Sequence, residues 1–204
     1  MSETIDNTVT IEAAAKINLY LHVVGRRANG YHELDSLIAF TDVSDTLTLE
    51  PSNELSLEIE GTFAPHLPRS EDNLVLRAAR ALGKEAGVKP RARITLRKEL
   101  PIAAGLGSGS ADAAAALRGL AKLWNTDTKV KDLKKVGFSL GADIPACIFS
   151  NTVHVGGVGE HLQPGPNLPD AGLLLVNPGV TLATPSVFQA RRGGFSPKMP
   201  LITS

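Results

Sequence analysis

The segment Leu100-Pro-Ile-Ala-Ala-Gly-Leu-Gly-Ser-Gly-Ser-Ala-Asp112 decides the fold of this chain. Its three glycines lie within five positions, so the backbone can approach a ligand closely and turn its N–H groups inward. An alanine-rich helix is predicted directly afterwards, over 111–123, with Ser110 or Asp112 as its N-cap. The N-terminus of a helix carries unpaired N–H donors and a partial positive charge, which together bind phosphate readily. The segment therefore predicts a phosphate-binding loop.

Two better-known phosphate motifs do not fit this loop. A Walker A loop ends in Gly-Lys-Ser or Gly-Lys-Thr, and no lysine follows these glycines. A dinucleotide-binding fold has its glycines after a strand buried on both faces, which is usually a continuous apolar run. Here the preceding strand, predicted over 91–99, alternates apolar residues with arginines, so only one of its faces is covered. We interpret Arg91, Arg93 and Arg97 as a solvated face.

Outward from the loop, hydrophobic periodicity predicts a mixed order of strands and helices. One helix is predicted over 73–86, capped by Ser70 or Asp72 and ended by Gly87, and another over 130–140. Strands are predicted over 17–23, 33–40, 46–49, 55–59, 153–155 and 172–176. This order favours an α+β sandwich over a regular repeat of strand and helix.

Composition narrows the classes of partner. A chain of 204 residues accommodates one large domain, or one domain and part of a second. Lysine plus arginine equals aspartate plus glutamate, 21 of each, which argues against a nucleic-acid partner. No apolar run is long enough for a membrane span, and no signal pattern opens the chain, so we expect a cytoplasmic protein without a membrane partner. The single cysteine, Cys147, is expected to be a small buried residue.

Four segments of the sequence resemble one kinase superfamily. The loop Pro101-x-x-x-Gly-Leu-Gly-x-Gly-Ser-Ala-Asp-Ala-Ala114 is similar to the phosphate loop of the GHMP kinases (galactokinase, homoserine kinase, mevalonate kinase and phosphomevalonate kinase). Within that superfamily the likeness is strongest to the 4-diphosphocytidyl-2-C-methyl-D-erythritol kinases. The further matching segments are 15–21, 30–34 and 140–145, and the likeness extends through 177–180 and 184–188. The resemblance covers almost the whole chain, in the order of the family.

The resemblance implies a fold and a domain division. It implies a two-layer α+β sandwich of the GHMP-kinase type (ribosomal protein S5 domain 2-like) over 1–163, holding the ATP-binding and catalytic functions. Residues 164–204 would then open a C-terminal substrate domain, with 164–169 as the linker. Because members of the family continue well past residue 204, we expect this second domain to be incomplete. A monomer and a homodimer both remain open.

The resemblance also implies an activity and its residues. It implies that ATP, with Mg²⁺, phosphorylates the 2-hydroxyl of 4-diphosphocytidyl-2-C-methyl-D-erythritol. Asp143 would orient or deprotonate that hydroxyl, and Lys16 would offset charge on the transferred group. A lysine among apolar strand residues raises the free energy unless it is paired, so we expect Asp143 beside it. The residues implied at the ATP phosphates are Pro101, Ala103, Ala104, Gly105, Leu106, Gly107, Ser108, Gly109 and Ser110.

The substrate-recognising residues follow from the same resemblance. Tyr31, His32 and Phe188 resemble the cytidine-binding residues of the family, and Asn18 is expected at the hydroxyl region of the substrate. Another GHMP substrate, such as homoserine or mevalonate, is the alternative, although neither carries a base on which aromatic rings could stack. A further alternative is a chain that binds nucleotide without turning over.

The metal is only weakly specified by the sequence. Mg²⁺ often keeps waters and binds chiefly through substrate phosphates. The hydroxyl groups of Ser110 and Ser108 are equal candidates for a contact with Mg²⁺ or phosphate. The histidines show no ligand spacing, so a zinc site is not expected.

Overall fold

The computed structural model describes residues 7–67, 72–177 and 184–201, and its centre is one mixed β-sheet. The strands are β1 (Val9–Arg26), β2 (His32–Glu50), β3 (Leu55–Glu60), β4 (Ala92–Arg97), β5 (Val153–Gly157) and β6 (His161–Pro164). The helices are α1 (Leu74–Ala86), α2 (Ser108–Leu123), α3 (Val130–Leu140), α4 (Ile144–Phe149) and α5 (Thr184–Ala190), and a short 3-10 helix covers Ala64–His66. The prediction of an α+β fold is confirmed.

The central strand of the sheet is β2. Strand β1 pairs with it antiparallel along almost its whole length. On its other edge, β4 pairs with residues 46–50 and β5 with residues 34–38. Strand β3 joins β4 in parallel, and β6 joins β5 antiparallel. The sequence predicted two strands here because the stretch 41–45, polar except for Val43, separates two apolar alternations. In the structure both halves belong to one strand, which pairs with β1 along its length.

The helices cover one face of the sheet. Strand β4 shows this most simply, because Ala92, Ile94 and Leu96 are buried while Arg93 and Arg97 are exposed. The exposed arginines form ion pairs with Glu50 and Glu99, as expected of a solvated strand face. The alanines of α2 let this helix lie close to the sheet, and together with inward strand residues they form the main hydrophobic core. The layers are therefore two, as predicted.

Several predicted helix boundaries are corrected. Helix α1 is capped by Asn73, whose side-chain oxygen accepts from the Val75 N–H, rather than by Asp72; Ser70 lies outside the described residues. Gly87 ends that helix in the left-handed conformation (φ 68°), as predicted. Helix α2 begins at Ser108, before the predicted start at 111. Its N-cap position is occupied by Gly107 without any side-chain cap, so the prediction of Ser110 or Asp112 as the cap is wrong.

The region after β6 also differs from the expectation. The predicted strand over 172–176 is wrong: these residues have no regular secondary structure, and Leu174 and Val176 are 86% and 84% exposed. A strand needs a hydrogen-bonded neighbour, and apolar composition alone does not supply one. Helices α4 and α5 and strand β6 were not predicted, because each is too short to show a clear period. The domain division at 163 stays a prediction.

Cys147 lies on α4 inside the main core, as expected. Burial raises the pKa of its thiol to about 12, so the group stays protonated at neutral pH. The helices in the described part of the chain include none with the length and apolar character that a membrane crossing needs.

The contact between α2 and the sheet predicts the effect of Gly119→Ala. An added Cβ would collide with the buried side chain of Leu49 and lie 3.0 Å from Ile11 Cγ1. Overpacking of this kind costs about 1–3 kcal/mol, which exceeds the helix-propensity gain of at most about 1 kcal/mol. Urea unfolding should therefore show a net loss of stability.

The matched control is Gly109→Ala on the same helix, where an added Cβ meets nothing within 4 Å. This variant should be as stable as the original chain or slightly more stable. Equal stability of the two alanine variants would show that the helix does not pack against β1 and β2 as closely as described.

Candidate active site

The glycine-rich loop connects β4 to α2 and contains an unusual backbone. Ala103, Gly105 and Gly107 all have left-handed φ angles, of 53°, 79° and 61°. Glycine adopts this conformation without penalty, whereas for alanine it costs roughly 1–2 kcal/mol. The surrounding structure must therefore hold the loop in place.

The loop delivers the chain to the N-terminus of α2. The first helical hydrogen bond runs from the Ala111 N–H to the Gly107 carbonyl at 2.9 Å. The N–H groups of Ser108, Gly109 and Ser110 precede that bond and have no intrahelical acceptor. Because Gly107 supplies no capping side chain, these donors and the positive end of the helix dipole are available to an anion.

Contacts with β1 place the loop against Lys16. The Lys16 N–H donates to the Leu106 carbonyl at 2.9 Å, at a point where the register between β1 and β2 is irregular. A Cβ on Gly107 would lie only 3.0 Å from Lys16 Cε, so a larger residue would displace the lysine. Loop and lysine are thus positioned as one unit.

Lys16 and Asp143 meet beside this loop, as their sequence motifs predicted. Lys16 Nζ lies 3.0 Å from Asp143 Oδ2, and it donates to Asn18 Oδ1 at 3.1 Å. The lysine side chain is 6% exposed and the aspartate side chain 48% exposed, so the carboxylate faces solvent. Asp143 occupies the N-cap position of α4 but makes no side-chain capping bond. Its carboxylate is therefore not used to cap the helix.

Asn18 belongs to a short polar chain that starts at this lysine. Its amide Nδ2 donates to Ser36 Oγ at 2.7 Å, and the Ser36 hydroxyl donates to the Tyr20 carbonyl at 2.5 Å. This chain fixes the amide oxygen of Asn18 toward the ammonium group. The oxygen atoms around Lys16 Nζ offset the cost of burying its charge.

Of the three residues predicted to bind cytidine, Tyr31, His32 and Phe188, two are in ring contact with each other. Phe188 stacks on His32 with ring centroids 5.2 Å apart and planes 19° apart. Rings this close leave no space for a third ring between them. Tyr31 is 64% exposed, and in the described part of the chain it makes no ring contact. In the structure His32 therefore contacts Phe188, and the ring of Tyr31 does not take part in this stack.

A buried charge cluster behind the loop was missed by the sequence interpretation. Lys98 Nζ lies 2.5 Å from Asp45 Oδ2 and 2.6 Å from Asp112 Oδ2, and all three side chains are buried. The even-numbered residues of β4 point into the core, so continuing that alternation to position 98 would have indicated an inward lysine. Among the described residues, Asp112 Oδ1 has no hydrogen-bond partner.

Burial is the main cause of a raised pKa at Asp112, which lies at about 7. The ammonium of Lys98 lowers this pKa, and the nearby carboxylate of Asp45 raises it. The burial and the like charge outweigh the ion pair with Lys98.

Few protein oxygen atoms near the loop are suited to binding a metal ion, so a metal here would take most of its ligands from a bound nucleotide and water. No group of three or more histidine, cysteine or acidic side chains suited to a metal ion occurs within the described ranges. The Ser108 hydroxyl is buried and directed to the Pro101 carbonyl at 3.4 Å, whereas Ser110 is only half-buried. Ser110 therefore offers the more accessible hydroxyl.

Comparison with known proteins identifies the family. Residues 73–151 match the model of the GHMP kinases N terminal domain. The 4-diphosphocytidyl-2-C-methyl-D-erythritol kinase of Rhodospirillum rubrum is 52% identical over 95% of this chain, and that of Paramagnetospirillum magneticum is 53% identical over 94%. The chain belongs to this kinase family. It spans 64% and 67% of the length of these two relatives.

Solved structures agree with that assignment. A crystal structure of a 4-(cytidine 5'-diphospho)-2C-methyl-D-erythritol kinase superposes with a TM-score of 0.74 at 35% identity, over 94% of this chain and 68% of the other. A homoserine kinase from Cytophaga hutchinsonii superposes with a TM-score of 0.67 at 17% identity, over 96% of this chain and 64% of the other. At that identity the second match shows a shared fold alone.

The raised pKa of Asp112 predicts a pH-dependent stability. Its pKa is about 7 in the folded chain and about 3.9 when unfolded, so folding takes up a proton between these values. The stability contributed by the protonated group is complete below about pH 4 and is lost as the pH rises through about 7. Relative to Asp112→Asn, which does not titrate, the original chain should lose about 1–3 kcal/mol between pH 5 and pH 8 in urea unfolding.

Asp127→Asn makes the same chemical change at an exposed position and serves as the control. Its stability difference from the original chain should not vary between pH 5 and pH 8. A pH-independent difference for Asp112→Asn as well would contradict the raised pKa.

Proposed function

We propose that this chain transfers the γ-phosphoryl group of ATP to the 2-hydroxyl of 4-diphosphocytidyl-2-C-methyl-D-erythritol and releases ADP. One observation carries the proposal: the Lys16–Asp143 pair, with Nζ and Oδ2 3.0 Å apart, adjoins the glycine-rich loop through Leu106 and Gly107. Phosphoryl transfer requires a site that holds the phosphates, the acceptor hydroxyl and compensating charge together. Here the loop would hold the phosphates, Asp143 would hold the acceptor hydroxyl, and Lys16 would supply the compensating charge.

The triphosphate of ATP binds along the loop and the N-terminus of α2. The N–H groups of Ser108, Gly109 and Ser110 donate to phosphate oxygens, assisted by the helix dipole. The left-handed residues of the loop keep its backbone free of side chains that would block this approach. The remaining predicted loop residues, Pro101, Ala103, Ala104, Gly105, Leu106 and Gly107, shape the same pocket.

Asp143 and Lys16 act on the reacting atoms. The exposed carboxylate of Asp143 accepts the proton of the substrate hydroxyl while the hydroxyl oxygen forms a bond to the γ-phosphorus. The bond from the γ-phosphorus to the bridging oxygen breaks, and ADP leaves with that oxygen. The Lys16 ammonium stabilises negative charge on the transferred group and holds the Asp143 carboxylate in position. Asn18 keeps the ammonium oriented.

Mg²⁺ fits this site as a companion of the nucleotide. When bound, the ion would supply positive charge that neutralises the phosphate oxygens. The Ser110 hydroxyl would hold it from the protein side, with nucleotide phosphates and water as the other ligands.

The cytidine group of the substrate binds at the aromatic residues. The His32–Phe188 stack offers an outer ring face on which a pyrimidine can stack, and Tyr31, which precedes His32 in the chain, presents a second exposed ring. Homoserine and mevalonate carry no base for these rings.

We place this reaction in the cytoplasm, with small molecules as its only partners and a monomer or homodimer as the active form.

Removal of the Asp143 carboxylate tests the catalytic assignment. Asp143→Asn keeps the size of the side chain but accepts a proton far less readily, and it leaves Lys16 without its ion pair. Loss of a positioned general base typically lowers the rate about 10²–10⁴-fold. ADP release should be measured with ATP, Mg²⁺ and 4-diphosphocytidyl-2-C-methyl-D-erythritol.

Asp127→Asn is the matched control, because position 127 follows the far end of α2 from the loop. It should retain the full rate of ADP release. Equal rates in all three proteins would remove Asp143 from the mechanism, and nucleotide binding without any ADP release would support a chain that binds but does not turn over.

Truncation of Phe188 tests the cytidine assignment. Loss of an aromatic ring that stacks on a base costs roughly 1–3 kcal/mol, so Phe188→Ala should weaken CDP binding by about 5- to 100-fold. Phe195→Ala, which removes an exposed phenylalanine ring outside the His32–Phe188 stack, is the control and should leave CDP affinity unchanged. The measurement is calorimetric titration with CDP, and binding of mevalonate or homoserine without binding of CDP would refute the assignment.

A further inference from the structure

We propose that the buried cluster of Lys98, Asp45 and Asp112 positions the glycine-rich loop for nucleotide binding. The cluster itself does not touch the nucleotide and acts through the loop backbone. This inference rests on the proposed function, since it concerns the same phosphate site.

The cluster connects three elements at the two ends of the loop. Asp45 lies on β2, Lys98 directly follows β4, and Asp112 lies on α2. One ammonium group bridges both carboxylates, at 2.5 Å and 2.6 Å. The strand that enters the loop and the helix that leaves it are therefore tied to a common point.

At the entrance of the loop, Asp45 holds the backbone. Its Oδ1 accepts from the N–H groups of Glu99 at 2.6 Å and Leu100 at 2.8 Å. These are the last backbone donors before Pro101, which has no N–H. The direction in which the chain enters the loop is thus set by one carboxylate.

At the exit of the loop, Asp112 holds the first turn of α2. It follows Ala111, whose N–H makes the first hydrogen bond of the helix. The three N–H groups proposed to bind the phosphates, those of residues 108–110, lie immediately before Ala111. Lys98 therefore fixes the direction of these donors relative to the loop entrance.

Such a cluster is a poor means of stabilisation alone. Desolvation of buried charges can exceed the gain from their attraction, and apolar residues of similar volume often serve stability as well or better. Ala103 and the two left-handed glycines, in contrast, need a surrounding structure that dictates their conformation. A rigid connection between the two ends of the loop meets that need.

The loop contains its own reporter for a test. The Lys16 N–H donates to the Leu106 carbonyl at 2.9 Å, so exchange of this amide with solvent requires the loop to move away from β1. The original chain, Asp112→Asn and Leu82→Val should be compared by NMR hydrogen exchange at pH 7.5. Leu82 is a buried residue of α1, and its shortening lowers overall stability without altering the cluster.

In Asp112→Asn we expect the Lys16 amide to exchange about tenfold faster, while the Ile94 amide in β4 changes no more than in Leu82→Val. The affinity for ADP, measured by calorimetry, should fall about tenfold in Asp112→Asn and stay unchanged in Leu82→Val. Asp112→Ser replaces the asparagine variant if the latter does not fold.

An unchanged Lys16 exchange rate in Asp112→Asn, or an equal acceleration in Leu82→Val, would overturn the inference. ADP affinity within twofold of the original would overturn it as well. If the original chain binds no ADP, the proposed function fails instead, and the exchange rates alone then decide whether the cluster positions the loop.

Discussion

A lysine ammonium is stable in the interior of a protein where oxygen atoms surround it, and Lys16 has such surroundings. The Asp143 carboxylate and the Asn18 amide lie on either side of its nitrogen. The contact brings the start of α4 to the middle of β1, although 127 positions separate the two residues in the chain. The Leu106 carbonyl that accepts the Lys16 N–H brings the glycine-rich loop to the same point. The arrangement of the candidate site follows from this contact.

The features that were predictable from sequence are those with a strong local cause. The alternation of β4 and the left-handed Gly87 each follow from period or backbone preference within a few residues. The Lys16–Asp143 contact was predictable for a different reason, since the motifs around both residues resemble one family. The start of α2 was misplaced because serine and aspartate are common caps, whereas here Gly107 takes that position and leaves the helix donors free.

The remaining features depend on distant partners that no local pattern shows. Residues 172–176 have the composition of a strand but no pairing neighbour within the described part of the chain, so they remain irregular. The stacking of Phe188 on His32 joins residues from opposite ends of the chain, and no local pattern shows it. Tyr31 was predicted beside them because all three residues resemble the cytidine-binding residues of the family, and that role stays a prediction. Lys98 was not singled out from the sequence, although its position in the alternation of β4 indicated the core.

Cys147 gives the fold a practical property. It is the only cysteine of the chain, and it lies on α4, the helix that directly follows Asp143. Since its thiol is buried and protonated, a disulfide reagent can react only after α4 separates from the core. The rate of modification by such a reagent would therefore measure how often the helix next to the Asp143 carboxylate opens, without any introduced label.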